Sequence, residues 1–373
     1  MGASKSAFRF TAVRPELPPI EAWRGYAEEA YCANWFSNFG ALSRRLEHVL
    51  AERWGFEATG CVVASSATAG LAGPLIARGI EGPVLIPAFT FPATLSAVKM
   101  AGAQPVLMDV SPDTWRVSPE TLEAAFMTTG ARAAILLCPF GLRTDFAAHM
   151  AVAQAHNATL VIDDAAGIGV ARANVETSPD VFEVYSMHAT KPFGIGEGGA
   201  IFANKSNEPA LRSALNFGLL NGRASLPWGI NGKMSELQAA VGLAVANTFG
   251  DRLTRRRAFA SRYMDVCARY DGLAYTDAPN DSCWQMFPLL TPSAHAASAA
   301  IASAAARGME VRRYYSPSLS TLPGFHNAPC PVSEDLAARM ICFPVYSWLS
   351  AGEAEEMLDI VDTALGASVE GRP

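Results

Sequence analysis

The chain has 373 residues, of which half are hydrophobic and 17% are charged, so it is long enough for two globular domains. Its net charge of −6 at pH 7 gives no field that would attract nucleic acid or an anionic membrane surface, and we expect neither as a partner. Residues 1–19 lack an apolar stretch, and no run of about 18 apolar residues occurs, so we expect a cytoplasmic protein without a membrane span.

The chain contains seven cysteines, an odd number with no Cys-x-x-Cys pair. Most of them fall in apolar segments, which favours buried free thiols in a reducing compartment. We therefore expect no zinc and no other metal site.

Short apolar runs alternate with helical patterns from about residue 60 to residue 205, which is typical of an α/β layered sheet. Several runs are apolar on both faces, as strands of a parallel sheet are when helices cover both sides. The predicted strands are residues 61–64, 84–87, 105–110, 133–138, 159–163, 181–186 and 200–203.

Capping residues mark helix starts at Ser118-Pro119-Glu120 and at the capping-box pattern Ser235-Glu-Leu-Gln238. Beyond the second helix, strand-like and helical pieces predict a smaller α+β domain. We place the junction near residues 246–258, which assigns residues 1–250 to an N-terminal segment and the large domain, and residues 251–373 to the small domain. A basic cluster falls at this junction, and we expect it on a solvated helix face: Arg252, Arg255, Arg256 and Arg257.

Two ionisable residues follow strand-like runs of the predicted sheet. Lys191 lies in Ser-Met-His-Ala-Thr-Lys-Pro-Phe, where apolar surroundings would lower the pKa of its amine. Asp164 ends the buried-looking run Thr-Leu-Val-Ile-Asp-Asp, where its charge is costly without a cationic partner. Taken alone, Lys191 is also explained as a surface lysine, and either Asp163 or Asp164 as a turn or capping residue.

Two further features suit a flat anionic ligand. Ala67 and Thr68 begin a predicted helix directly after a strand and would offer N–H groups to an anion, and Ser186 could add a hydroxyl. The same Ser and Thr residues are equally explained as an ordinary helix cap without a ligand. Phe91 follows the strand at 84–87 and is placed to stack on a ring, or to be a core residue.

Pyridoxal phosphate (PLP) needs all four features at once. It needs a lysine that bonds to it and moves a proton, an acid at its ring nitrogen, donors for its phosphate and an aromatic platform. A parallel sheet would bring these groups together at the carboxyl ends of its strands. A rival G-x-G-x-x-G match at 194–199 has no strand before it and is followed by a strand-like run, so we do not predict a dinucleotide site there.

Six segments in order resemble the DegT/DnrJ/EryC1/StrS sugar aminotransferases of PLP fold type I. The resemblance extends from about residue 30 to the end. The segments are Ser65-Ser-Ala-Thr-Ala-Gly-Leu, Ile86-Pro-Ala-Phe-Thr-Phe-Pro-Ala-Thr, Gly102-Ala-Gln-Pro-Val-Leu-Met-Asp-Val, Asp163-Asp-Ala-Ala, Ser186-Met-His-Ala-Thr-Lys with Glu197-Gly-Gly, and Gly229-Ile-Asn-Gly-Lys-Met-Ser-Glu-Leu-Gln-Ala-Ala.

The resemblance implies an aspartate-aminotransferase-like fold, with a mainly parallel mixed sheet in the large domain and a smaller α+β C-terminal domain. It implies that Lys191 holds PLP, that Asp164 pairs with the ring nitrogen and that Phe91 stacks on the ring. It implies further that Ala67, Thr68 and Ser186 hold the phosphate. Asn231 would reach the cofactor of a neighbouring subunit, which makes the protein a homodimer with shared active sites.

The resemblance also implies a reaction in two half-reactions. Glutamate would give its amino group and leave as 2-oxoglutarate, and pyridoxamine phosphate would then aminate a nucleotide-linked keto sugar. The wording around His188 looks most like the branch that acts on dTDP-linked 3-keto or 4-keto 6-deoxyhexoses. We expect His188, Lys233 and Tyr315 on the substrate side.

Three residues depart from the family pattern. Gly167 stands where the family has Gln or His, Lys233 replaces an Arg and so lacks its bidentate fork, and Pro74 falls inside a predicted helix, where it should kink or shorten it. Two alternatives stay open. One is a PLP-binding protein of this fold that acts on a non-sugar ketone or is a non-catalytic regulator, and the other is an NAD-dependent oxidoreductase. A sugar dehydratase of this fold normally lacks the lysine, so Lys191 argues against it.

Overall fold

A mixed sheet forms the centre of the larger part of the molecule. The computed structural model describes residues 8–55, 59–142, 144–170, 177–275, 282–325 and 329–370. The strands of all sheets in these ranges are β1 (Thr59–Ala64), β2 (Pro83–Pro87), β3 (Gln104–Met108), β4 (Ala133–Leu137), β5 (Thr159–Asp163), β6 (Val181–Ser186), β7 (Gly199–Asn204), β8 (Leu219–Leu220), β9 (Arg223–Ala224), β10 (Met286–Leu290), β11 (Arg312–Arg313) and β12 (Met340–Pro344).

Helices cover the sheet and link its strands. They are α1 (Ile20–Ala33), α2 (Ala41–Trp54), α3 (Ala67–Ala77), α4 (Pro92–Met100), α5 (Pro119–Thr129), α6 (Ala147–Ala155), α7 (Glu208–Ala214), α8 (Glu236–Cys267), α9 (Ala294–Ala306), α10 (Pro331–Arg339) and α11 (Ala351–Glu370). The predicted Ser118 cap and the capping box of Ser235 with Gln238 are both present. Pro74 lies in the last turn of α3, which ends three residues later rather than at the proline.

The seven strands of the large sheet lie in the order β1-β7-β6-β5-β4-β2-β3. Pairs within β6-β5-β4-β2-β3 are parallel, and β7 is antiparallel to both of its neighbours. All residues of β4, β5 and β6 are buried, which explains their apolar character on both faces. The predicted α/β fold with a mainly parallel mixed sheet is confirmed.

The register of β7 brings two other strand ends together. Gly199 pairs with Ala64 at the end of β1 on one side and with Ser186 at the end of β6 on the other. Asp163 at the end of β5 lies opposite Val184 of β6. The carboxyl ends of β1, β5 and β6 therefore meet at one edge of the sheet.

A three-stranded sheet, β10-β12-β11, forms the core of the smaller C-terminal part together with α9 and α11. The N-terminal segment joins this part, since Phe10 forms a bridge with Met309 and the amide of Ala12 donates to Glu310 at 3.0 Å. The proposed division at residue 250 falls inside α8, one continuous helix that serves both parts.

The prediction of a solvated basic face on α8 is wrong for two of its arginines. Arg252 and Arg256 are each only 5% exposed, whereas Arg255 is exposed and lies over the ring of Trp348. Arg256 can be buried because the residues just before β10 and just after β12 present carbonyl groups to it. Its guanidinium donates to the carbonyl oxygens of Trp284, Gln285 and Val345 at 2.7–3.0 Å.

All seven cysteines are free thiols, and all but Cys32 are buried, as the sequence predicted. Within the described ranges, no helix has the length and apolar character needed to cross a membrane.

Candidate active site

The first helix after β1 presents its N-terminus to the carboxyl edge of the sheet. Ser66 caps α3, and its hydroxyl accepts a hydrogen bond from the amide of Ala69 at 3.2 Å. The first intrahelical bond runs from the amide of Gly70, so the amides of Ala67 and Thr68 lie in the turn whose donors a helix does not use. Amides in this position can donate to an anion, which is the role that the resemblance implies for Ala67 and Thr68.

Two buried carboxyl groups lie at the carboxyl end of β5, since Asp163 is its last residue and Asp164 follows directly. Asp163 and Asp164 are each only 4% exposed. Asp163 accepts a hydrogen bond from the hydroxyl of Thr94 at 3.0 Å, and the amide of Asp164 donates to the carbonyl of Val184. Burial raises the pKa of Asp163, while the Thr94 bond and the charge of Lys191 act in the opposite direction.

Lys191 is half-buried and lies beside these two carboxyl groups. Burial lowers the pKa of its amine to about 8, against the opposing charges of Asp163 and Asp164. Its Nζ donates to Oε1 of Gln285 at 3.0 Å. An amine with this pKa is neutral in about a tenth of the molecules at pH 7, far more than an ordinary lysine, and the neutral form is the one that attacks a carbonyl carbon.

The loop between β6 and Lys191 is held by short local contacts. The hydroxyl of Ser186 accepts a hydrogen bond from the amide of His188 at 3.2 Å. The ring of His188 contacts the hydroxyl of Thr190 at 2.8 Å and lies 3.6 Å from Glu197. Ser186 is buried at the end of β6, whereas the side chain of His188 is 45% exposed.

Two aromatic side chains flank this edge from different elements. Phe91 directly precedes α4, about one turn before Thr94, whose hydroxyl donates to Asp163. Phe91 is 55% exposed, so its ring is available to a ligand. Tyr315 stacks on Phe140 with ring centroids 5.4 Å apart and meets Phe89 edge to face. Burial raises the pKa of the Tyr315 phenol, which therefore keeps its proton and can donate.

Asn231 and Lys233 lie beside the helix start of α3. The amide of Ser65 donates to the carbonyl of Gly232 at 2.7 Å, which fixes this segment against the end of β1. The amine of Lys233 donates to Asn231 at 2.7 Å and lies 4.4 Å from the ring centroid of Phe217. Both residues thus belong to the segment that is hydrogen-bonded to the end of β1, next to the start of α3.

Two polar residues of the site were not predicted. Thr94 could have been found from its spacing of three residues after Phe91, which is close to one helical turn. Gln285 carries no local signal, because it approaches Lys191 from 94 positions along the chain. The glycine-rich segment at 194–199 leads into β7 and not into a helix, so it does not have the form of a dinucleotide-binding turn.

These residues fit pyridoxal phosphate. The helix start of α3 suits its phosphate, the exposed ring of Phe91 suits its flat face, and the buried Asp164 suits a protonated ring nitrogen. A Cβ at Gly199 would lie 2.7 Å from the backbone of Ser66, so the glycine keeps this turn close to the end of β6.

The DegT/DnrJ/EryC1/StrS aminotransferase family model matches residues 21–362. A dTDP-4-amino-4,6-dideoxy-D-glucose transaminase of Shigella dysenteriae is 28% identical, over 93% of this chain and 97% of that protein. A UDP-2-acetamido-2-deoxy-3-oxo-D-glucuronate aminotransferase of Pseudomonas aeruginosa is 27% identical, over 78% of this chain and 82% of that protein.

The crystal structure of DesI in the presence of its TDP-sugar product superposes with a TM-score of 0.87 at 27% identity. The superposition covers all of this chain and 95% of that one. The matched range contains Lys191 and Asp164, together with the start of α3 and Gln285. The chain belongs to the DegT/DnrJ/EryC1/StrS aminotransferase family and is a pyridoxal phosphate-dependent aminotransferase.

Proposed function

We propose that the protein transfers an amino group from glutamate to the ketone of a nucleotide-linked deoxysugar, with a dTDP-linked 3-keto or 4-keto 6-deoxyhexose as the expected acceptor. The observation that carries the transfer chemistry is the Lys191 amine, whose pKa is lowered to about 8 beside two buried carboxyl groups. The sugar assignment is supported by the names of the relatives, which act on dTDP- or UDP-linked sugars.

In this proposal Lys191 would hold the cofactor through its amine and, when not bonded to it, would carry the proton taken from the donor carbon. The bound cofactor supplies an electron-withdrawing ring that makes this proton acidic. Asp164 holds the proton on the ring nitrogen, and its burial strengthens that charge pair. Phe91 stacks on the ring.

The phosphate would lie at the start of α3, held by the amides of Ala67 and Thr68 and by the hydroxyl of Ser186. On the substrate side, His188 and Tyr315 offer a ring nitrogen and a protonated phenol to sugar hydroxyl groups. Lys233 offers a positive charge to phosphate oxygens.

A spectroscopic experiment tests the transfer chemistry. Purified protein should be yellow, glutamate should bleach the colour, and a keto sugar should restore it. Lys191→Ala should remove the response, whereas Lys99→Ala, on the exposed end of α4, should retain it. A panel of dTDP- and UDP-linked 3-keto and 4-keto sugars then identifies the acceptor.

The other outcomes separate the alternatives. Glutamate bleaching without restoration by any sugar of the panel favours a non-sugar ketone. A colour that glutamate does not change favours a non-catalytic regulator, and colourless protein that binds NAD favours the oxidoreductase.

We further propose that the protein is a homodimer in which Asn231 reaches the cofactor bound in the partner subunit's site. We also propose that it is located in the cytoplasm. Asn231 is exposed, and large apolar side chains are exposed near it, including Phe217 at 55% and Trp228 at 45%. The seven free thiols favour a reducing compartment.

Subunit mixing tests the shared site. Lys191→Ala and Asn231→Ala should each be inactive alone, and mixing them should restore about a quarter of the wild-type sites, because each mixed dimer then has one intact site. Mixtures that stay inactive contradict the shared site.

A further inference from the structure

Gln285 is the side chain that contacts the amine of Lys191. Its Oε1 accepts a hydrogen bond from Nζ at 3.0 Å, although it belongs to the C-terminal part of the chain, at the residue before β10. Asp163 and Asp164 act on the same amine through their charge. The amine thus has an uncharged hydrogen-bond partner and the charges of two nearby carboxyl groups.

The backbone of Gln285 is fixed to the large sheet. Its amide donates to the carbonyl of Phe140 at 3.0 Å, in the loop after β4, and its carbonyl accepts from the guanidinium of Arg256 at 2.9 Å. Two residues earlier, the amide of Cys283 donates to the carbonyl of Gly141 at 2.8 Å. These bonds come from different elements, so the position of Gln285 does not depend on one flexible loop.

The conformation of Trp284, the residue before Gln285, shows how the Gln285 side chain is directed toward Lys191. Trp284 has φ +52°, a left-handed conformation that costs a non-glycine residue free energy and is kept where surrounding contacts require it. Its indole is 2% exposed and stacks on Phe287 with centroids 5.5 Å apart. The buried indole holds the turn that directs Gln285 toward Lys191.

We propose that Gln285 is a positioning residue that holds the Lys191 amine whenever this amine is not bonded to the cofactor, and so keeps it in place for the proton transfer. The proposal rests on the proposed role of Lys191. During each half-reaction the lysine must leave the cofactor, act as acid and base, and return, and a partner at hydrogen-bond distance limits its movement meanwhile.

A carboxamide suits both protonation states of the amine. Its oxygen accepts from an ammonium group, and its NH2 can donate to the lone pair of a neutral amine after rotation. It adds no charge, so it does not hold the lysine in the protonated form as a third carboxylate would. Other titratable groups face this region. The charge of Asp163 contributes to raising the pKa of the Tyr315 phenol, the charge of Asp164 contributes to raising that of the Cys138 thiol, and His188 in the lysine's own loop lies beside Glu197.

The test measures the acylation rate of Lys191 as a function of pH, by peptide mass spectrometry, in full-length protein loaded with pyridoxamine phosphate and in cofactor-free protein. The lysine is free in both forms. The wild-type rate should rise with a midpoint at about pH 8. Gln285→Glu should move the midpoint upward by about one unit or more, since an added carboxylate favours the ammonium.

Gln285→Met provides the opposite change. It removes the acceptor while keeping the length of the side chain, so the midpoint should fall below that of wild type, and acylation at pH 7 should be faster than in wild type. Gln154→Glu makes the same chemical change on the exposed face of α6 and is the matched control, with an unchanged midpoint. Should Gln285→Glu fail to fold, as measured by circular dichroism, Gln285→Met still decides the question.

Midpoints that coincide in wild type, Gln285→Glu and Gln285→Met overturn the proposal, because a residue that only packs changes stability and not this profile. The outcome is separate from that of the proposed function. If the cofactor bonds to another lysine, the proposed role of Lys191 is refuted, while the cofactor-free profile still measures whether Gln285 holds the amine.

Discussion

Gly167 lies against the carboxylate of Asp164. A Cβ added at residue 167 would stand 2.0 Å from Oδ1 and 2.1 Å from Oδ2 of Asp164, far inside van der Waals contact. The amide of Gly167 also donates to the carbonyl of Asp164 at 3.0 Å, so the two residues close one turn after β5. The absence of a Cβ at Gly167 therefore leaves the space that the Asp164 carboxylate occupies.

Gly167→Ala should therefore displace the carboxylate that is proposed to pair with the cofactor ring. We expect weaker cofactor binding, measured by absorbance titration, and a loss of about 1–3 kcal/mol of unfolding free energy, as overpacked sites show. The matched control is Gly25→Ala in α1, where an added Cβ would meet nothing within 4 Å. Equal cofactor affinity in Gly167→Ala and wild type would contradict this steric account.

The lowered pKa of Lys191 predicts a pH-dependent stability of the cofactor-free protein. The folded pKa of about 8 lies below the ordinary value of 10.5, so the folded state disfavours the ammonium form. The resulting cost is fully present below about pH 8 and disappears as pH rises through 10.5. Lys191→Met should be more stable than wild type at pH 7 by about 2 kcal/mol after allowance for solvent contact.

Urea denaturation of both proteins at pH 7 and near pH 10 measures this difference, which should shrink at the higher pH. Lys205→Met, in the turn after β7, is the control and should show no such trend, because its side chain is exposed. A Lys191→Met protein that is less stable than wild type at pH 7 refutes the prediction.

Arg256 and Arg255 are adjacent in sequence and differ in burial. Arg256→Met should destabilise the protein by about 3–5 kcal/mol, because it leaves several buried carbonyl groups and the nearby Glu16 without their cationic donor. Arg255→Met, on the exposed face, should change the unfolding free energy by about 0.5 kcal/mol or less. Chemical denaturation of both variants measures the contrast, and similar losses in the two would be inconsistent with it.

The sequence predicted the sheet well because its strands are buried on both faces, and such strands are continuous apolar runs bounded by turns. Predicted residues 159–163 and 181–186 coincide with β5 and β6. The capping box at Ser235 was equally direct, since both of its hydrogen bonds form between residues three apart.

The burial of Arg252 and Arg256 was not predictable from local pattern. Charge runs on helices usually face solvent, and the carbonyl groups that receive Arg256 lie 28 to 89 positions along the chain. Gln285 was missed for the same reason, because it meets Lys191 through the packing of the two parts of the molecule. Five further predicted residues lie around one edge of the sheet: Phe91, His188, Asn231, Lys233 and Tyr315. Their individual roles are proposed from the resemblance to the family.

Lys191 is the residue proposed to bond to the cofactor. Borohydride reduction of the yellow holoprotein, followed by proteolysis and peptide mass spectrometry, measures this directly, because reduction makes the bond permanent. We predict that the cofactor mass is found on the peptide that contains Lys191. Cofactor mass on another lysine, or on none, would contradict the account.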